Sequence, residues 1–281
     1  MRKPAESPSA FVDAISAQAQ RYETPCGEGY MAWRCWGNGR PLVLLHGGTG
    51  SWTHWIHNVL PLAATHSVWV PDMPGYGESA DPPRGSAIGA LAALVADGIE
   101  CLVAEPVDLA GFSFGGLVAG NLAAARPEGV RRLVLVGAGG LGLRDGKPLA
   151  LVAWRHLKAP AEQLAAHRHN LASLMLADEG RIDALALYIQ SENARRSRLN
   201  SGPFSRGDSL LEPLSRVQAP IAGIWGRNDS LTRERLAEVE PILRRTDSNA
   251  RFQVIEDAGH WVGFEQPLAF NEALLRLVRD A

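Results

Sequence analysis

No stretch of this 281-residue chain approaches the roughly 18 consecutive apolar residues of a membrane span. The opening residues, from Met1-Arg2-Lys3-Pro4 to Asp13, lack the apolar core of a secretory signal. Cysteine is scarce: Cys26, Cys35 and Cys101 are an odd number without metal-ligand spacing. Reduced thiols and a cytoplasmic location are therefore expected, with a Cys26–Cys35 bridge across a hairpin as the alternative. There is no excess of positive charge. The net charge is −2 and no basic patch stands out, which argues against a nucleic-acid partner. The glycine loop Gly47-Gly48-Thr49-Gly50 is not followed by Gly-Lys-Ser/Thr, so it does not read as a phosphate cradle. His46, His54 and His57 have no carboxylate or cysteine to complete a ligand set, so no metal and no cofactor is expected.

What the chain has is apolar residue and order. It is 46% hydrophobic, enough for one large core. Residues 1–10 read as a loose leader and Phe11–Gln20 as a short helix. Arg21–Thr24 and Tyr30–Trp36 read as an antiparallel edge pair around a Gly-rich turn. Strands then alternate with helices. Strand signals fall at Pro41–Leu45, Ser67–Val70, Val107–Ala110, Val130–Val136, Ala219–Trp225 and Ala250–Ile255. Helix signals fall at Trp55–Ala64, Ala87–Val103, Phe114–Ala125, Thr232–Leu243 and Pro267–Val278. Such alternation predicts an α/β fold with a mostly parallel sheet flanked by helices. The alternation breaks only over residues 140–212, which are helical in pattern and rich in Arg and His. The expected organisation is a core of residues 1–139 and 213–281, with residues 140–212 inserted as a helical cap over the C-terminal edge of the sheet.

Three residues at successive strand ends carry the chemistry. Gly111-Phe112-Ser113-Phe114-Gly115 follows a strand and opens a helix, the context of a nucleophile elbow. A serine hydroxyl needs a base within hydrogen-bond reach, and the base needs an orienting acid. Asp229 follows the strand at 219–225, and His260 follows the strand at 250–255. Taken singly, Asp229 fits a turn or helix cap and His260 a polar core residue. Together they complete the order Ser, acid, His. Asp257 and Asp145 are weaker competitors for the acid. Phe114, at a helix N-terminus, offers one backbone N–H to a developing oxyanion, and the loop after Pro41–Leu45 offers the second.

With these residues in place the chain resembles the α/β-hydrolase fold superfamily over about residues 20–281. The matching pieces are Leu44-Leu45-His46-Gly47-Gly48, Asp72-Met73-Pro74-Gly75-Tyr76-Gly77-Glu78-Ser79, the segment around Ser113, Trp225-Gly226-Arg227-Asn228-Asp229 and Ala258-Gly259-His260-Trp261. The resemblance implies Ser113 as nucleophile, His260 as base and Asp229 as its orienter. It implies Gly48 and Phe114 as the oxyanion hole with Gly47 beside them, and a loop-building role for His46 and Asp72. Ser113 stands where epoxide hydrolases and haloalkane dehalogenases carry Asp. Gly259-His260-Trp261 with Phe264-Glu265 is similar to the carbon–carbon hydrolases that cleave dienol keto acids from aromatic degradation. Those enzymes bind a carboxylate with a cap arginine, which points to Arg195 and Arg196 here, with Arg198 nearby. Phe112 and Thr49 depart from that subfamily's pattern.

The expected activity is hydrolysis of a small carboxylic ester or related acyl bond through an acyl-enzyme. The alternatives are carbon–carbon hydrolysis of a vinylogous keto acid, acyl transfer, and a ligand-binding relative with little turnover. The expected partner is a small molecule, apolar or aromatic, with or without a carboxylate, met by Arg195, Arg196 and Trp261. Trp52, Trp55 and Trp154 are further candidates for the pocket wall. Neither a membrane nor a nucleic-acid partner is expected, and a homodimer is left open.

Overall fold

The computed structural model describes residues 7–143 and 149–279. Asp145 and most of the expected leader lie outside the described residues. Eight strands form one sheet: β1 (Gln20–Cys26), β2 (Gly29–Trp36), β3 (Arg40–Leu45), β4 (His66–Pro71), β5 (Val107–Phe112), β6 (Val130–Val136), β7 (Ile221–Gly226) and β8 (Arg251–Ile255). Their order is β1-β2-β4-β3-β5-β6-β7-β8. β1 pairs antiparallel with β2, and β2 with β4; every other pairing is parallel. Among the described residues ten α-helices accompany them: α1 (Pro8–Ser16), α2 (Val59–Ala63), α3 (Ile88–Leu102), α4 (Phe114–Ala125), α5 (Pro160–Asn170), α6 (Ala184–Arg196), α7 (Leu211–Leu214), α8 (Val239–Thr246), α9 (Val262–Glu265) and α10 (Pro267–Val278).

The central strands are covered on both faces, which is why they read as unbroken apolar runs. Leu42, Leu44, Ala110 and Phe112 pack with α1, α2 and α10 on one face. Val43, Leu45 and Leu109 pack with α3, α4 and α8 on the other. Between β6 and β7 the described residues hold helices and no strand. Here α5 runs through a π-turn at Leu171–Met175, and α6 packs on α1 and α5. α7 packs instead on α4, with Leu210 and Leu214 in the core.

Two predicted helices are shorter than their periodicity suggested. The helix predicted over Trp55–Ala64 is a 3₁₀ turn at Trp52–Trp55 followed by α2. The one predicted over Thr232–Leu243 is a 3₁₀ segment at Arg233–Glu238, broken at Arg235 (φ −120°, ψ 16°), followed by α8. In each case a proline (Pro61, Pro241) is the third residue of the α-helix. It lacks an N–H and collides with the carbonyl four residues back, so the helix restarts just before it. α1 begins at Pro8, earlier than expected, because Ser7 caps it and Pro8 suits its first position. The Cys26–Cys35 bridge does not form: Cys26 faces Gly29 and Cys35 faces Gln20 across β1 and β2, and both thiols are free and buried.

Candidate active site

β5 ends at Phe112 and α4 begins at Phe114, so Ser113 is the only residue in the turn. Its backbone is forced to φ 52°, ψ −112°, a region that costs an L-residue on the order of 1–3 kcal/mol. Packing enforces the strain. A Cβ at Gly111 would overlap the carbonyl of Gly115, and one at Gly115 would overlap that of Leu45. The Ser113 N–H donates to Val136 O at 2.8 Å, and its carbonyl accepts from Gly139 N at 3.2 Å.

Ser113, His260 and Asp229 lie on one line. Ser113 Oγ is 2.9 Å from His260 Nε2, and His260 Nδ1 is 2.8 Å from Asp229 Oδ2. Asp229 is fully buried, and its second oxygen accepts from Leu231 N at 2.9 Å. Asp229 therefore shapes the turn after β7 and also faces the imidazole. With Nδ1–H directed at a carboxylate, the neutral ring carries its lone pair on Nε2, toward the hydroxyl. Asp257 is exposed on a turn at φ 52°, away from this line.

The glycine loop follows β3. His46 Nδ1–H donates to Gly47 O (2.8 Å) and Nε2 accepts from Met73 N (2.9 Å), so both ring nitrogens are used in the fold. Burial lowers the pKa of His46 against the opposing pull of Asp72, keeping it neutral. Asp72 accepts from Trp52 N and Glu78 N, at 2.8 and 3.0 Å. The N–H of Gly47, expected beside the substrate, donates to His54 Nδ1 at 3.2 Å inside its own loop. Among the described residues no such partner is found for the N–H of Gly48 or Phe114.

A cavity of about 350 Å³ adjoins the loop. Gly48, Thr49 and His54 line it from the core, and Leu151, Val152, Trp154, Leu174 and Met175 from the segment between β6 and β7. Among the described residues that line it there is no Asp, Glu, Lys or Arg. Burial drives His54 well below its ordinary pKa, and the nearby His46 and His260 push the same way. It is neutral, and because Nδ1 accepts from Gly47 its proton sits on Nε2. Nε2 has no protein partner among the described residues, so His54 is a neutral donor in the cavity wall.

The expected arginines are elsewhere. Arg195 and Arg196 sit at the end of α6, with side chains 59% and 44% exposed, and both pair with Glu192 at 2.7 and 3.5 Å. The hydrogen bond from Arg195 holds the Glu192 carboxyl below its ordinary range. Arg198 pairs with Asp81 at 2.6 Å. Of the four tryptophans only Trp154 lines the cavity. Trp261 stacks on Phe264 (4.3 Å) and donates to His54 O (2.8 Å), standing behind the wall. Trp52 packs on Trp36, and Trp55 on Phe112 and Phe270.

Two supporting residues carry roles that the sequence did not assign. Glu265 is buried and accepts three backbone N–H groups: Gly259 (2.6 Å) and Ala177 (3.1 Å) on Oε2, and Asp178 (2.7 Å) on Oε1. It thereby ties the residue before His260 to the chain after the π-turn. Its signal was an acid directly after the apolar run Trp261–Phe264. Asn193, buried on α6, accepts from Ser51 Oγ at 2.7 Å and joins that helix to the end of the glycine loop. Nothing local in its sequence marks it.

A sequence profile for the alpha/beta hydrolase family matches residues 42–273. The chain is 28% identical over 246 residues to the dihydrolipoyllysine-residue acetyltransferase component of the acetoin cleaving system of Cupriavidus necator, covering 85% of this chain and 63% of that protein. It is 26% identical over 261 residues to the 2-hydroxy-6-oxo-6-phenylhexa-2,4-dienoate hydrolase of Comamonas testosteroni, covering 87% and 89%. The crystal structure of the esterase RhEst1 from Rhodococcus sp. ECU1013 superposes with a TM-score of 0.74 at 26% identity, covering 91% and 97%. With a profile match that runs from β3 into α10, on an eight-stranded sheet of this order, the chain belongs to the alpha/beta hydrolase family.

Proposed function

We propose that this protein hydrolyses a small, uncharged carboxylic ester through an acyl-enzyme on Ser113. The observation that carries the reading is the hydrogen-bonded line from Asp229 through His260 to Ser113 Oγ. His260 takes the hydroxyl proton as Oγ attacks the carbonyl carbon, and Asp229 holds the ring tautomer and stabilises the imidazolium. The N–H groups of Gly48 and Phe114 receive the oxyanion, each worth about 10²–10³ in rate. His260 then protonates the leaving alcohol, and water attacks the acyl-enzyme by the same route in reverse. Residues 140–212 act as the cap that shapes the acyl or alcohol pocket.

The cavity chemistry favours a neutral substrate. Among the described residues its wall is mostly apolar, with Thr49, His54, Asn170 and Gln190 as its polar members and no Lys or Arg, while Arg195 and Arg196 are paired and exposed. A carboxylate there would be desolvated without a partner. The ring N–H groups of His54 and Trp154, both wall residues, suit an uncharged acceptor such as a carbonyl or ether oxygen. The second reading, carbon–carbon hydrolysis of a keto acid, draws on the resemblance to the Comamonas testosteroni hydrolase and on Trp261 after the histidine. Acyl transfer by the same acyl-enzyme is separable by adding an alternative alcohol and looking for transfer product.

The test is turnover of aryl esters and of a dienol keto acid by wild type and Ser113→Ala. Ester turnover that vanishes in Ser113→Ala, with unchanged circular dichroism, supports the reading. Near-normal turnover in Ser113→Ala refutes it, and a strong preference for the keto acid gives the site to the second reading.

A further inference from the structure

The two N–H groups assigned to the oxyanion come from different loops, one after β3 and one after β5. Neither is tied down by a hydrogen bond of its own, and the β3 loop carries almost no side chains. It also holds Thr49 at φ 52°, a conformation uncommon for a residue with a Cβ. Something outside these loops must fix the spacing between the donors.

The chain returning from α6 supplies it. A Cβ placed on Gly48 would overlap Ser201 Oγ and lie 3.0 Å from Ser201 Cβ, so Ser201 rests directly on the Gly48 backbone. The Phe204 ring lies 6.0 Å from that of Phe114, centroid to centroid. A Cβ on Gly139, whose N–H holds the Ser113 carbonyl, would lie 3.0 Å from Ser205 Cβ. Residues 201–205 form a closed turn, with the N–H groups of Phe204 and Ser205 both directed at Ser201 O, at 3.2 and 3.3 Å. The turn is anchored upstream, where the Arg198 and Leu199 N–H groups donate to Gly75 O at 2.9 and 3.3 Å. Tyr76 fills the space behind it. Its ring lies 6.2 Å from Phe114, and its fully buried hydroxyl sits by Ser201 and the Thr49 backbone without a hydrogen bond of good geometry.

We propose that the 201–205 turn sets the geometry of the oxyanion hole, with Ser201 and Phe204 as positioning residues for the N–H groups of Gly48 and Phe114. Preorganised donors need side chains that lock them from behind, and in the loop after β3 Gly47, Gly48 and Gly50 have none of their own. The consequence is that the oxyanion hole is complete only when the chain leaving the insertion is seated on the core. This inference rests on the hydrolase reading above.

The experiment begins with wild type and Ser113→Ala on an aryl ester; absence of Ser113-dependent turnover removes the hydrolase reading itself. With that turnover established, Ser201→Gly, Phe204→Leu, Gly48→Ala and the Gly48→Ala/Ser201→Gly double variant are compared. Misplacing a donor by a fraction of an ångström is expected to lower kcat about 10-fold in Ser201→Gly and Phe204→Leu, with KM changed less than about 3-fold. Affinity for an aryl boronic acid, whose tetrahedral adduct places an oxygen in the hole, should fall by the same factor. Gly48→Ala is expected to lose about 100-fold through its collision with Ser201. Adding Ser201→Gly should restore at least about 10-fold of that, because the new Cβ occupies the vacated space. A substitution that harms the wild type and rescues Gly48→Ala is the signature of this contact. Unchanged kcat and boronate affinity in both Ser201→Gly and Phe204→Leu would overturn the inference, as would a double variant no better than Gly48→Ala.

Discussion

Replacing Glu265 by Gln should both destabilise the protein and slow it, although Glu265 touches no reacting atom. The carboxylate accepts three backbone N–H groups, two on Oε2 and one on Oε1. An amide of the same shape has one accepting oxygen, so its NH₂ must face at least one of these donors. A hydrogen bond to a charged group contributes about 1.5–3 kcal/mol, and an orphaned buried donor costs about 1–3 kcal/mol. Losing one such bond and leaving one donor orphaned should therefore cost about 3 kcal/mol, a large share of the 5–15 kcal/mol typical of a folded domain. The chemistry suffers because Gly259, which donates the shortest of the three bonds, precedes His260. Misplacing His260 by about 1 Å should cost on the order of 10²-fold in kcat with little change in KM. Urea unfolding of Glu265→Gln, followed by steady-state kinetics with an aryl ester, measures both. A variant that keeps the wild-type urea midpoint and the wild-type kcat would show that the Glu265 clamp does not position His260.

Arg195→Ala and Arg196→Ala should change stability by less than about 1 kcal/mol, since both pairs are half-exposed and surface pairs contribute little. Their kcat/KM should also stay near wild type on esters with and without a carboxylate; a loss of 10-fold or more confined to carboxylate-bearing substrates would revive the keto-acid reading. In His54→Asn the amide oxygen replaces Nδ1 as acceptor for Gly47, while the Nε2–H donor is lost. Wild type should prefer esters carrying an extra ether or carbonyl oxygen over their methylene isosteres by about 5- to 100-fold, and the variant should lose that preference. Equal ratios in the two proteins would remove His54 from substrate recognition. Burial pushes the Asp108 carboxyl up to about 6, against the opposing pull of Arg131. A carboxyl raised in the folded state binds its proton more tightly there than in the unfolded chain. Its contribution to stability is therefore complete below about pH 4 and is lost as the pH rises through about 6. The stability difference between wild type and Asp108→Asn, from urea unfolding at each pH, should fall between pH 4 and 7, and parallel curves would refute it.

The parallel sheet was legible because strands buried on both faces are written as short apolar runs, and the elbow because only glycines fit beside Ser113. Helix ends were less legible. The periodicity over Thr232–Leu243 and Trp55–Ala64 is helical, yet Pro241 and Pro61 veto a continuous helix. The roles expected of Arg195 and Arg196 rested on their charge and place in the chain, while their direction depends on Glu192 one turn back and on how α6 lies on α1. Gly47 was named for its place in the glycine loop, and only the fold directs its N–H at His54.

The sequence by itself determined the fold class and the strand ends that carry Ser113, Asp229 and His260, because patterning and turn chemistry are local properties of the chain. The tertiary structure alone decided what surrounds them. His54 holds Gly47 and lines a cavity, Glu265 grips Gly259, and Ser201 and Phe204 stand behind Gly48 and Phe114. These are contacts between residues far apart in the chain, and packing and hydrogen-bond satisfaction select them only after the sheet and the insertion have come together.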